Sequence, residues 1–152
     1  MIFVTVGTHH QPFERLLKSL APLDAEDLVV QYGTGSPPAG VSRAEAFMAF
    51  DEMLSHFHEA DAVVTHAGVG SILCATREGH VPLVVPRRHE LGEHVDDHQS
   101  ELTRALSDRG SVVAIWEVEE LAAALAAVPE RRHVPVESRD ALAAAVGAAL
   151  SG

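Results

Sequence analysis

A chain of 152 residues, 47% hydrophobic and 22% charged, is sized and composed for one packed domain, which excludes a disordered or fibrous protein. Its net charge of −11, from 11 basic against 22 acidic residues, excludes broad binding to a nucleic-acid backbone, so any phosphate ligand must be held by local geometry. The single cysteine, Cys74, excludes an intramolecular disulfide and fits a cytoplasmic protein, and no apolar stretch reaches the roughly 18 residues of a membrane span.

The chain opens on a β-rich run, residues 2–6, with no signal-type leader ahead of it, so a membrane location is expected only through a partner. Gly7-Thr8 closes that strand. Pro12 suits the first position of a helix whose apolar face carries Phe13, Leu16, Leu17 and Leu20. A second strand is predicted over 28–32, ending in the Gly- and Pro-rich loop 33–38. Residues 43–60 carry Phe47, Phe50, Met53, Leu54 and Phe57, the pattern of an amphipathic helix over at least the second half. His56 and His58 are expected on its partly exposed side. A third strand over 62–65 runs through glycines into a helix that Gly79 ends. Residues 82–86 and 112–116 read as strands four and five. Helices follow over about 94–107, 118–127 and 138–150, the last two rich in alanine.

Strands that alternate with helices and are themselves nearly continuous in apolar residues predict an α/β fold. The expected architecture is a Rossmann-like parallel sheet with helices on both faces, forming one domain over residues 1–152. Ligands of such sheets bind beyond the carboxyl ends of the strands. Loops 7–10, 33–38, 66–71 and 86–99 all fall there and predict one site.

Residues 65–71, Thr-His-Ala-Gly-Val-Gly-Ser, carry the most chemistry. A strand entering a helix through Gly68 and Gly70 lets a bulky group approach the backbone while the first helical N–H groups point at it, which suits a phosphate or diphosphate. A tight strand–helix turn is the plain alternative, because Leu73 stands where a dinucleotide fingerprint has its third small residue. No Gly-x4-Gly-Lys-Ser/Thr tract exists, which excludes a P-loop NTPase. Ser71 reads as a cap or a phosphate donor rather than a nucleophile, and Cys74 as a small buried residue. Arg87 and Arg88 follow a strand end, where one can pair with a phosphate and the other with a surface acid. His94 and His98, four apart, would share a helix face near Glu90, Glu93 and Asp97. That opens a metal reading, although the His-Glu-x-x-His arrangement is missing. His9 and His10 lie in the first crevice loop, within reach of a substrate.

The ordered set of residues 1–8 with Pro12-Phe13, Phe50-Asp51-Glu52-Met53, residues 66–71, Val85-Pro86-Arg87, and Gly92-Glu93-His94 with His98-Gln99 resembles the glycosyltransferase family 28 C-terminal domain. Within that family the chain is similar to stand-alone subunits of the Alg13 and PssE type, over roughly residues 1–125. The resemblance implies one half of a GT-B arrangement, the half that binds a UDP-sugar donor of the UDP-GlcNAc, glucose or glucuronate class.

Carried onto this chain, the donor would meet Gly7, Thr8, Phe50, His66, Gly68, Val69, Gly70, Ser71, Arg87, Glu93, His98 and Gln99. Gly70 and Ser71 would take the diphosphate, Gly7 and Thr8 the cleft facing the other half, and the backbone at Phe50 the uracil edge. His98 and Gln99 would bond sugar hydroxyls, with Glu93 and Arg87 in support. Arg87 would also help stabilise the charge growing on the UDP leaving group. The family's usual ribose-binding glutamate is Cys74 here, and His9-His10 stands in place of the more usual glutamine.

A single half-domain implies a second polypeptide, an Alg14- or PssD-like membrane-associated subunit that carries a lipid-linked acceptor, at the inner face of the membrane. The general base would sit on that partner or be His9 or His10. The resemblance implies no cofactor and no tightly bound metal; a homo-oligomer stays open. The alternative is a non-enzymatic nucleotide-binding or scaffold module on the same fold.

Overall fold

The computed structural model describes residues 1–23, 27–129 and 131. Six strands form one parallel sheet: β1 (Ile2–Thr5), β2 (Leu28–Gln31), β3 (Arg43–Glu45), β4 (Ala62–His66), β5 (Leu83–Val85) and β6 (Val113–Ala114). Their order is β3-β2-β1-β4-β5-β6, the doubly wound arrangement in which the chain starts in the middle and winds outward in both directions. Registers are direct: Ile2 faces Leu28 on one side and Ala62 on the other, and His66 faces Val85.

Alternate side chains of each strand enter opposite layers, as the two-residue period requires. Val4, Val30, Val64, Leu83 and Val85 pack under helix α1 (Glu14–Lys18) with Phe13, Leu16, Leu17 and Leu20, and with Leu121 of α5 (Leu121–Ala126). On the other face Phe3, Val29 and Val63 meet Phe57 of α2 (Phe50–Glu59) and Ala75 of α3 (Val69–Arg77). Val84 there joins Ile72 of α3 and Leu102 and Leu106 of α4 (His98–Asp108). Helices therefore cover both faces, as the sequence predicts. Among the described residues no helix is long and apolar enough to cross a membrane.

Three differences matter for the site. The expected helical stretch from residue 43 begins instead with β3, which pairs with Val29 to Gln31 at the sheet edge. Its Arg-Ala-Glu sequence has no apolar signature because an edge strand borders water, and charged edge residues discourage further pairing. The helix expected from about residue 94 begins only at His98. Before it come a 3₁₀ turn at His89–Leu91 and Gly92 at φ 71°, a left-handed conformation that breaks helical propagation. Val95, expected on a packed helix face, is consequently exposed. The helix expected over 138–150 lies outside the described residues.

Candidate active site

The carboxyl ends of β1 and β4 adjoin a cleft of about 430 Å³. Its floor is Gly7, Thr8, Gln31, His66 and Gly68; one wall is Gly70, Ser71 and Cys74 at the start of α3. The facing wall is apolar, made by Phe47, Met48, Phe50, Met53 and Phe57. Loops 33–38 and 86–99, expected at this site, do not line it.

The polar end is built around free donors. Helix α3 has Gly68 as its N-cap, with no side chain to bond its first N–H groups, so those of Val69, Gly70 and Ser71 are left for a ligand. A Cβ at Gly70 would meet nothing within 4 Å, so the backbone there is bare to the cleft. The hydroxyls of Thr8 and Ser71 add two groups without protein partners among the described residues. Val69 contributes only backbone, since its side chain packs on the α3–α4 cluster.

Two buried glutamines hold the turns in place. Gln31 Oε1 accepts the Thr5 hydroxyl at 2.6 Å and the Gly7 N–H at 3.1 Å, while its Nε2 donates to the Gly7 and Ala46 carbonyls at 2.9 and 2.7 Å. The first turn is thereby tied to the segment that carries Phe47. Gln99 Oε1 accepts the N–H groups of Ala67 at 3.3 Å and Arg87 at 3.0 Å, joining the ends of β4 and β5. The expectation that Gln99 bonds sugar hydroxyls is therefore corrected: its carbonyl oxygen is committed to two backbone donors, and the side chain is buried.

Arg87 is corrected more strongly. The residue is 1% exposed, its guanidinium donating to the carbonyls of Val6, Gln11 and Glu93 and lying 4.8 Å from the centre of the Phe13 ring. Burial lowers its pKa to about 10, which leaves it charged at neutral pH. It braces the loops from beneath and does not reach a diphosphate in the cleft. Glu93 is buried with it, bonded to Arg15 through both oxygens and to the Arg88 N–H. His98 lies outside the cleft, exposed, and its pKa is raised by its hydrogen bond to Asp96.

His9 and His10 stack on each other at 4.5 Å, and His9 stacks on His94 at 4.6 Å. Desolvation first, then His94, Arg87 and His10, hold the His9 pKa below the usual imidazole value. His9 Nδ1 accepts the Gln11 N–H at 3.1 Å, which places the ring proton on Nε2 and leaves no free lone pair. Of the pair, only His10 keeps the freedom a base needs. His94 and His98 do not share a helix face, and both turn to Asp96. Among the described residues no group of three or more His, Cys, Asp or Glu side chains is placed to hold a metal ion.

Sequence reasoning missed the apolar wall, because the Phe47–Phe57 stripe has the same spacing as a core face. Yet Phe47 and Phe50 are 53% and 68% exposed. It also missed Gln31, whose signal was present: a lone polar residue ending a buried Leu-Val-Val run. Cys74, expected inside, is only partly buried and borders the cleft; burial raises its thiol pKa. His56, expected partly exposed, is buried against the Phe3 ring at 5.1 Å.

Over residues 1–149 the chain matches the glycosyltransferase family 28 C-terminal domain. The chain belongs to this family. Its relatives include proteins named UDP-N-acetylglucosamine transferase subunit ALG13. That of Yarrowia lipolytica is 30% identical over 122 residues, covering 70% of this chain and 60% of the relative. That of Mus musculus is 33% identical over 122 residues, covering 71% of this chain and 10% of the relative. The chain thus spans less than two thirds of the length of either relative. The glycosyltransferase SnogD from Streptomyces nogalater shares the fold, with a TM-score of 0.57 at 21% identity over 98% of this chain and 39% of its own.

Proposed function

We propose that this family 28 domain is the donor-binding half of a heteromeric GT-B glycosyltransferase. In this reading it moves a sugar from a UDP-sugar, UDP-N-acetylglucosamine first among them by the relatives' names, to a lipid-linked acceptor. The observation that carries the reading is the uncapped start of α3, three backbone donors and the Ser71 hydroxyl opening on a cleft with no charged side chain. The diphosphate sits on those amides. Their fixed dipoles strengthen as charge accumulates on the departing UDP oxygen, so they favour the transition state over the bound donor. The exposed rings of Phe47 and Phe50 give the nucleobase an apolar shelf, and Thr8 faces the acceptor side.

The acceptor site and membrane attachment belong to an Alg14- or PssD-like partner, which places the chain at the cytoplasmic membrane face. The base that deprotonates the acceptor hydroxyl is then a partner group or His10. No metal or cofactor takes part in this scheme.

Calorimetric titration with UDP, UDP-N-acetylglucosamine and NAD tests the reading. Uridine nucleotides should bind, Gly70→Val should weaken that binding by about thirtyfold, and sugar transfer should require the partner chain. Preference for NAD, or a Gly70→Val variant that binds UDP normally, overturns it. A folded protein that binds no nucleotide would instead be the scaffold module.

A further inference from the structure

Among the described residues the His66 ring is the only imidazole on the cleft lining. Its Cε1–Nε2 edge is wedged between Gly7 and Gly68, where a Cβ on either glycine would overlap it. Its Nδ1 faces the opposite way, 3.3 Å from Nε2 of Gln99. The orientation of the Gln99 amide is not arbitrary. The atom receiving the Ala67 and Arg87 N–H groups must be the oxygen, because an amide nitrogen offers them no lone pair. The nitrogen therefore points at His66 and donates, so Nδ1 must accept.

We propose that Gln99 is a positioning residue that locks His66 as the neutral Nε2–H tautomer, so that the cleft presents an uncharged donor beside Gly7 and Gly68 to the anionic group bound there. The ring stays neutral because it is largely desolvated and shares its surroundings with positive charge. Burial, then Arg87, His94 and His9, lower its pKa to about 3. An imidazolium would need a carboxylate next to Nδ1, and Gln99 occupies that place with an amide. The donor is thus available at any pH near neutral, and its strength does not titrate. The nature of the anion rests on the diphosphate reading above; the tautomer does not.

The experiment combines nitrogen NMR of the His66 ring with titration of UDP-N-acetylglucosamine, in the wild type and in Gln99→Glu. The wild type should carry its proton on Nε2, unchanged from pH 5.5 to 8. In Gln99→Glu a carboxylate replaces the amide donor, so Nδ1 must take the proton. The ring then has a bare Nε2 at pH 8 and becomes an imidazolium at lower pH. The ratio of variant to wild-type affinity should accordingly fall at least tenfold at pH 8 and recover towards pH 5.5. A merely structural glutamine would give a pH-independent ratio.

A wild-type ring protonated on Nδ1, or doubly protonated at pH 7, overturns the proposal even if the variant does not fold. So does a flat affinity ratio. If the wild type binds no UDP-sugar while its ring shows the Nε2–H form, the donor reading fails and the tautomer lock stands.

Discussion

Residues 66–71 and 86–98 both follow strands of the same sheet, and both are rich in residue types that bind ligands. They end differently. In the first, polar groups are left without a protein partner: three N–H groups at the start of α3, the Ser71 hydroxyl and Nε2 of His66, held between Gly7 and Gly68. In the second, nearly every polar group is turned on its neighbours. Arg87 holds three carbonyls, Glu93 holds Arg15, and Asp96 gathers His94 and His98. A loop supplies a site only with groups its own fold leaves unpaired, and residue type does not say which those are. The second segment is a brace for the first, joined to it through Gln99.

The comparison breaks most sharply at Arg87. Arg87→Met should cost about 3–5 kcal/mol of stability, because it strands buried carbonyls and the Glu93 end of a charged network. Urea denaturation would show it, and the folded fraction should bind UDP within about threefold of wild type. A large affinity loss at unchanged stability would return Arg87 to the ligand. Gly70→Val should do the reverse. Its side chain would enter the open cleft, lowering UDP affinity by about thirtyfold, or about 2 kcal/mol, with little change in the urea midpoint.

Acid gives the next test. His66 is neutral when folded, with its pKa lowered to about 3, whereas the unfolded imidazole titrates near 6.5. Between those values the unfolded state holds the extra proton, so stability falls as pH drops below 6.5 by up to about 1.4 kcal/mol per unit. His9 and His80 are shifted in the same direction and add to the slope. Denaturation midpoints from pH 7.5 to 4.5 measure it; a midpoint indifferent to pH would mean the ring is not sealed.

Ser71→Ala should weaken UDP by about 1 kcal/mol, one neutral hydrogen bond. The smallest effect is expected at His98→Ala, an exposed side chain paired with Asp96, which should change neither stability nor UDP affinity measurably. A clear loss of UDP-sugar binding there would show that the second segment closes over the donor.

Much of this was legible beforehand, for identifiable reasons. The strands around Val4, Val30, Val64 and Val84 are apolar on both faces because helices cover both, and that composition survives in one dimension. The glycines of 66–71 mark a turn into a helix whatever else surrounds them. β3 was not legible, since three edge residues bury too little to leave a hydrophobic signature. Nor was the late start of α4, which depends on Gly92 adopting a left-handed conformation and on Asp96 drawing in two histidines. Phe47 and Phe50 look like core residues in a spacing argument. Only the position of α2 and of the segment leading into it, beside the open sheet end, exposes them.

The alternation of apolar strands with helices, the glycine-rich turn after β4 and the family membership are written in the chain itself, because backbone preferences and apolar periodicity act between near neighbours. Which polar side chains remain free was decided only in three dimensions. Gln31, Arg87 and Gln99 satisfy backbone groups up to 81 positions away, and a hydrogen bond is allotted by distance in space, not along the sequence.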